Sequence, residues 1–349
     1  MVRRGSHPRL SVILIVEGSP SYSMRALESI QNQDLYDIQI VIACRNAAPG
    51  VRHSLEVAAD RDIHIDLVDV DETAQDACLL AGFAASRGSY IVAMGAEEWF
   101  APHALAEMLK ITCEASADVV FPSVSLDRYD AHRERHSRIL NAVSVAVDNR
   151  EAVVDGLSEL IADGLVCQTS GVMYERGLFD ACMHQGVPFR SASFSAAAIM
   201  RARCVCGCSG ARFHSDMQPA VTVFDPSMFA RLSDDAKALD GVLESFAVEA
   251  GDNRLVRACH RFYYAHLVAC IENLYLTPHA VSSFERRARL HDMLEAPRTR
   301  RMAAGLKGDR RGLGLLFGAI ANARPARCVM YMHMGAFFNR TGAKTLWQV

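Results

Sequence analysis

Four short apolar runs constrain the fold of this chain more than anything else in it. Leu10–Val16, Ile38–Ala43, Ile63–Val70 and Tyr90–Met94 are rich in Val and Ile, too short for core helices, and bounded by turn residues. Nearly continuous apolar strands are what a parallel sheet buried on both faces requires. Helical patterns lie between them. Ser23–Gln33 places Met24, Leu27 and Ile30 at helical spacing; Val51–Ala59 follows the second strand; Thr73–Ser86 is alanine-rich and is closed by Arg87-Gly88. Pro102–Ser116, with Pro102 near its first turn, and a fifth strand at Asp118–Ser123 continue the rhythm. This alternation predicts an α/β, doubly wound sheet of the nucleotide-binding type.

After Ser125 the pattern loosens. Leu126–Ser137 is polar and reads as a loop, Arg150–Asp163 as a helix, Thr169–Tyr174 as a short strand, Phe194–Ala202 as a helix, and Cys204–Val223 as one or two strands. From Pro226 the pattern is helical: Ser227–Ala250, Arg254–Leu276 and Ser282–Leu294, with the short apolar segments Leu313–Ala323 and Cys328–Phe338 after them. A boundary near Phe224-Asp-Pro226 divides the 349 residues into an α/β domain, 1–224, and a smaller α-helical domain, 225–349.

Charge and cysteine usage narrow the partners. A net charge of −3 provides no global field for nucleic acid. Eleven cysteines, an odd number scattered through apolar segments, read as free thiols in a reducing compartment. The first nine residues are basic and polar with no apolar core behind them, and no stretch approaches the ~18 apolar residues of a membrane span. These features predict a cytoplasmic protein. Arg286–Arg311 carries nine Lys or Arg against three Asp or Glu. With the apolar segment after it, 286–323 is a candidate peripheral contact with anionic lipid at the inner membrane face, or else a solvated basic face.

The candidate chemistry gathers at Gly88–Trp99, where the fourth strand runs into Glu97 and Glu98. Carboxylates at the end of a parallel strand lie where open α/β sheets place ligands, and two of them suit a hard divalent cation. The competing reading is a pair of exposed loop glutamates. Cys204, Cys206 and Cys208, with His214 nearby, suggest zinc, but alternate cysteines lack the Cys-x₂-Cys spacing of structural zinc sites and read more simply as a cysteine-rich strand.

Several local motifs resemble one family. Met24-Arg-Ala-Leu-Glu-Ser-Ile-Gln-Asn-Gln33 resembles the "RALESILNQ" helix of the family 2 glycosyltransferases. Gly82–Ile91 resembles their "G…A.GEYI" step, Glu97-Glu-Trp99 with Pro102 the end of "DxDDW…P", and Gly171–Tyr174 the "G…yRR" step. The resemblance covers about residues 9–215 and implies a GT-A fold. It also implies a nucleotide-sugar donor, a glycan or cell-surface polysaccharide acceptor, and a Mg²⁺ or Mn²⁺ ion that neutralises the leaving diphosphate. A carboxylate base would complete an inverting mechanism.

Site by site, the chain departs from that pattern. Glu17 and Gly18 fall where the family has a polar pair near the nucleotide base, and Ala43-Cys-Arg45 falls where an Asp reads it. Glu17 and Arg45 are thus the donor-binding candidates, Arg45 as a phosphate contact or else a solvated loop arginine. Gly95 replaces the first acid of the metal motif, and Glu97 holds the ligating position beside Glu98. Leu79-Leu80 replaces an Arg-Asn pair. The segment matching the general base, Phe189–Ala198, contains no carboxylate, which leaves Asp180 or Asp216 as substitutes. Two expectations follow: a metal-dependent transferase using Glu97 and Glu98, or a catalytically inactive pseudo-glycosyltransferase acting as a binding or assembly module.

Overall fold

The computed structural model describes residues 7–18, 22–74, 76–129, 135–142, 144, 150–162, 164–185, 187–216, 224–245, 253–276, 281–308 and 313–340. The chain divides into two compact units, Met1–Met217 and Gln218–Val349.

In the first unit, β1 (Leu10–Glu17), β2 (Ile38–Arg45), β3 (Ile65–Asp69) and β4 (Tyr90–Gly95) are the four expected strands. They alternate with α1 (Ser23–Gln31), α2 (Pro49–Arg61) and α3 (Ala77–Ala85). The strands are parallel in the order β3-β2-β1-β4. Leu10, Val12, Ile13, Leu14, Val41, Ile42, Val92 and Ala93 have no exposed surface, which explains the unbroken apolar runs. Beyond β4 come β5 (Glu98–Phe100), α4 (Ala104–Ala115), β6 (Val119–Tyr129), β7 (Arg135–Leu140), α5 (Arg150–Ala162), β8 (Met173–Glu175), α6 (Arg176–Met183), α7 (Ala192–Arg201) and β9 (Val205–Asp216). The sheet continues β4-β8-β6-β9-β5, with β7 on β6. Here the direction changes: β8 is antiparallel to β4 and β6, β9 is parallel to β6, and β5 is antiparallel to β9. The result is a mixed α/β sheet with flanking helices, as the family resemblance implies.

Two elements correct the sequence reading. Leu126–Ser137 is not simply a loop, because β6 runs on to Tyr129 and β7 returns from Arg135 in antiparallel register. Its polar residues mislead because one of them is satisfied inside. The fully buried Asp127 accepts from the Ser125 hydroxyl at 2.9 Å, from Ser137, and from the His214 ring at 3.0 Å. The second is β5, which has three residues and no sequence signature of a strand.

In the second unit, α8 (Met228–Ser245), α9 (Asn253–Leu276), α10 (Ser283–Glu295), α12 (Gly314–Ala321) and α13 (Pro325–Arg340) follow the helical patterns, and α11 (Pro297–Gly305) adds to them. Tyr264 and Leu267 on α9 are buried with Leu290, Met302 and Phe317. The expected strand and helix ends at 217–223 and 246–250 lie outside the described residues.

Candidate functional site

The strand order places a switch point between β1 and β4: the chain goes from β1 outward to β2 and β3, then returns to the other side of β1. Ligands of open α/β sheets bind at the carboxyl ends of the strands flanking such a point. The pairing Glu17↔Arg45 and Ile15↔Gly95 places Glu17, Arg45 and Gly95 on that edge. Gly18 turns the chain away from it with a φ of +72°.

Arg45 is tied into this edge. One Nη donates to Glu17 Oε1 at 2.7 Å, and the other donates to the carbonyls of Glu72 and Ala74 at 2.9 and 3.0 Å. Its side chain is 15% exposed, against 43% for Glu17. The guanidinium thus braces the segment between β3 and α3, and Glu17 is the more accessible of the pair.

The centre of the site is Arg190. Its Nη1 is 3.1 Å from Glu97 Oε1, and its Nη2 is 3.5 Å from Glu98 Oε2. Glu98 is buried, and its carboxylate also accepts the Gly95 backbone N–H at 2.7 Å. Gly95 is what makes room for this arrangement. A Cβ built there would run into Arg190 Nη2 and lie 2.7 Å from both Glu97 carboxylate oxygens. The guanidinium therefore fills the space that the missing acid would occupy.

Local structure fixes Arg190 in place. Ser191 caps α7, accepting the Phe194 N–H at 3.1 Å and donating to the Pro188 carbonyl at 2.6 Å. The Phe189 N–H donates to Asp76 at 3.3 Å, at the start of α3. Behind the glutamates, Arg25 donates to the Glu97 carbonyl at 3.3 Å and lies 3.8 Å over the Trp99 ring. The His214 ring stacks on the same Trp99 at 4.7 Å.

Burial pushes the Glu98 carboxyl up to about 7, with the pull of Arg190 offsetting part of the rise. Burial also raises Asp76. Arg190 is held above its usual value: burial acts to lower it, and Glu98 and Glu97 outweigh that effect.

The fold thus brings Glu97 and Glu98 together, and Glu17 and Arg45 together. Asp180 pairs with His184 on α6 at 3.3 Å, and the Asp216 side chain lies outside the described residues. The Cys204 and Cys206 sulfurs are 3.7 Å apart, burial raises the Cys206 thiol to about 11, and among the described residues no three His, Cys, Asp or Glu side chains form a metal cluster. Within 286–323, Arg289, Arg298 and Arg300 pair with Glu285, Asp240 and Glu295, and Arg286 donates to the Val281 carbonyl. The apolar side of α12 (Leu316, Phe317, Ala319, Ile320) is buried. Among the described residues no helix is long and apolar enough to cross a membrane. Sequence reasoning missed Arg190, Asp76 and the Asp127–His214 pair. For Arg190 the signal was present: it lies in the segment read only for its lack of acids.

Residues 11–177 match the profile of Glycosyl transferase family 2. EpsH of Bacillus subtilis (strain 168) is 24% identical over 132 residues, which is 38% of this chain and 38% of that protein, so the match spans well under half of that relative's length. A crystal structure of S. aureus TarS 1-349 in complex with UDP-GlcNAc aligns over 96% of this chain and 92% of that chain, with a TM-score of 0.61 and 11% identity. The same protein in complex with UDP gives a TM-score of 0.58 and 13% identity. The sheet therefore has the GT-A fold. Enzymes of this fold commonly use a divalent metal. The donor set here does not suit one as its side chains stand, because a guanidinium already pairs with both carboxylates.

Proposed function

We propose that this chain, whose residues 11–177 follow the family 2 glycosyltransferase pattern, binds a nucleotide sugar at the carboxyl ends of β1, β2 and β4 and passes the sugar to a glycan or cell-surface polysaccharide. The observation that carries this reading is the switch point between β1 and β4, with Glu17, Gly95 and Glu97 on one edge. The TarS complexes with UDP-GlcNAc and UDP on a sheet of the same type support a nucleotide sugar as the ligand class. In this reading Glu17 faces the nucleoside, Arg45 holds the floor of the cleft, and the sugar lies toward Glu97. The Mg²⁺ or Mn²⁺ that the family implies would have to displace Arg190 to reach Glu97 and Glu98. The reading places the chain in the cytoplasm. A membrane contact through 286–323 would draw on the cations of that stretch, Arg287 among them.

A second reading has a specific observation behind it. Residues 189–198 contain no acid, and Arg190 stands among them where a proton acceptor would be needed. Loss of a general base typically costs about 10²–10⁴-fold in rate. The chain would then bind a donor without turning it over at a useful rate, as a pseudo-glycosyltransferase. Isothermal titration with UDP-GlcNAc and GDP-mannose, followed by a nucleotide-release assay, separates the outcomes. Saturable binding that weakens in Glu17→Ala is expected. Absence of binding by the folded chain to either sugar nucleotide would contradict the donor reading. Binding without release of the nucleotide, in the presence of acceptor glycans, would select the second reading.

A further inference from the structure

Arg190 sits at a place where charge matters. Four acids gather around the strand edge: Glu17 from β1, Asp76 at the start of α3, and Glu97 and Glu98 after β4. Two guanidiniums pair with these acids, Arg45 with Glu17 and Arg190 with Glu97 and Glu98, and a third, Arg25, donates to the Glu97 backbone carbonyl. The cluster sums to −1. Without Arg190 it would sum to −2, the deficit that one divalent cation cancels.

We propose that Arg190 is this site's built-in cation, occupying the metal position between Glu97 and Glu98 and offering its remaining N–H groups to the donor's diphosphate, so that the chain takes its nucleotide sugar without a divalent ion. This rests on the donor reading above. Two observations converge on it. The first is the pairing of both Nη atoms with the two carboxylates. The second is the glycine at position 95, whose missing side chain leaves the volume that the guanidinium fills. A guanidinium has five N–H donors in a planar fork suited to phosphate oxygens. Glu97 and Glu98 engage one nitrogen each, and the Arg190 side chain remains 52% exposed, so donors are left for a ligand. A lysine would not substitute well, because one ammonium cannot span both carboxylates and a diphosphate.

The test has two arms. In the first, Mn²⁺ alone is titrated into the full chain and the free ion is followed by electron paramagnetic resonance. The wild type is expected to leave Mn²⁺ free. Arg190→Ala should bind about one ion, and adding Glu97→Gln should abolish that binding. Mn²⁺ binding by the wild type that is lost in Glu97→Gln would overturn the proposal. In the second arm, UDP-GlcNAc and GDP-mannose affinities are measured in EDTA and in Mn²⁺. They should agree within about twofold in the wild type and fall by about tenfold or more in Arg190→Gln. The folding of Arg190→Gln is checked by its melting curve. Binding that requires Mn²⁺ overturns the role of Arg190 and leaves the donor reading standing. No binding in either buffer ends both.

Discussion

Gly88→Ala is expected to destabilise the first unit by about 3–5 kcal/mol, combining overpacking with lost hydrogen bonds. A Cβ at this position would collide with the backbone of Leu10 and Ser11, which are fixed in the sheet by pairing on both sides of β1. Backbone cannot swing aside as a side-chain tip can. The same few atoms hold a buried polar network. The Gly88 N–H donates to the Ser11 hydroxyl at 2.8 Å, that hydroxyl donates to Gln39 Oε1 at 2.6 Å, and Gln39 Nε2 donates to Asp66 at 2.7 Å and to the Ala85 carbonyl at 3.1 Å. On the other side, Arg176 Nε donates to the Gly88 carbonyl at 2.7 Å. Displacing Gly88 strains each of these bonds and separates α3 from β4. Since a domain is stable by only ~5–15 kcal/mol, a fall in melting temperature of about 10 °C is expected. Thermal and urea denaturation of the variant would check it; a loss below about 0.5 kcal/mol, the size of a neutral surface change, would mean that the strand contact is not as described.

Glu98→Gln is expected to act in the opposite direction, and only in one pH range. The carboxyl rises from 4.5 to about 7 because burial disfavours its charge. The folded chain therefore binds this proton more readily than the unfolded chain. Below about 4.5 both states are protonated and the site carries no penalty. As pH rises from there to about 7, the wild type loses stability, and above 7 the loss is constant. Glutamine carries no charge at any pH and can still accept the Gly95 N–H. The variant should match the wild type near pH 4.5 and exceed it by about 1–3 kcal/mol at pH 8, which is some 2–4 °C in melting temperature per kcal/mol for a unit of this size. An equal difference at both pH values would show that the carboxyl is not titrating in this window.

The two variants probe different levels of the fold, and those levels differ in how legible they were in the sequence. The strands β1, β2 and β4 could be read because a parallel sheet buried on both faces leaves a continuous apolar imprint, as in Leu10–Val16. β5 left none. Glu98-Trp-Phe100 is a strand only because β9 pairs with it, an interaction more than a hundred residues distant that local propensity does not encode. The polar hairpin of β6 and β7 was hidden for a related reason: the buried Asp127 is made tolerable by Ser125, Ser137 and His214, partners that only the tertiary structure supplies.

The site shows the same division. Glu97 and Glu98 could be found because they follow a strand end, and Glu17 and Arg45 because they end β1 and β2. Their pairing states could not. Arg190 lies 93 residues from Glu97 in sequence, and nothing in Phe189-Arg-Ser191 says which carboxylates it will meet. Gly95 looked like the loss of an acid. In three dimensions it is the vacancy that admits a cation. An absence in one motif and a substitution in another, read separately, suggest decay; brought together by the fold, they form a guanidinium–carboxylate centre.

A structure of the chain with UDP-GlcNAc, prepared in EDTA, tests this account most directly. The nucleoside is expected against Glu17 and the carboxyl ends of β1 and β2, with diphosphate oxygens within hydrogen-bonding distance of Arg190. A sugar nucleotide bound elsewhere, or one that binds only with a metal ion on Glu97 and Arg190 swung clear of both glutamates, would contradict it.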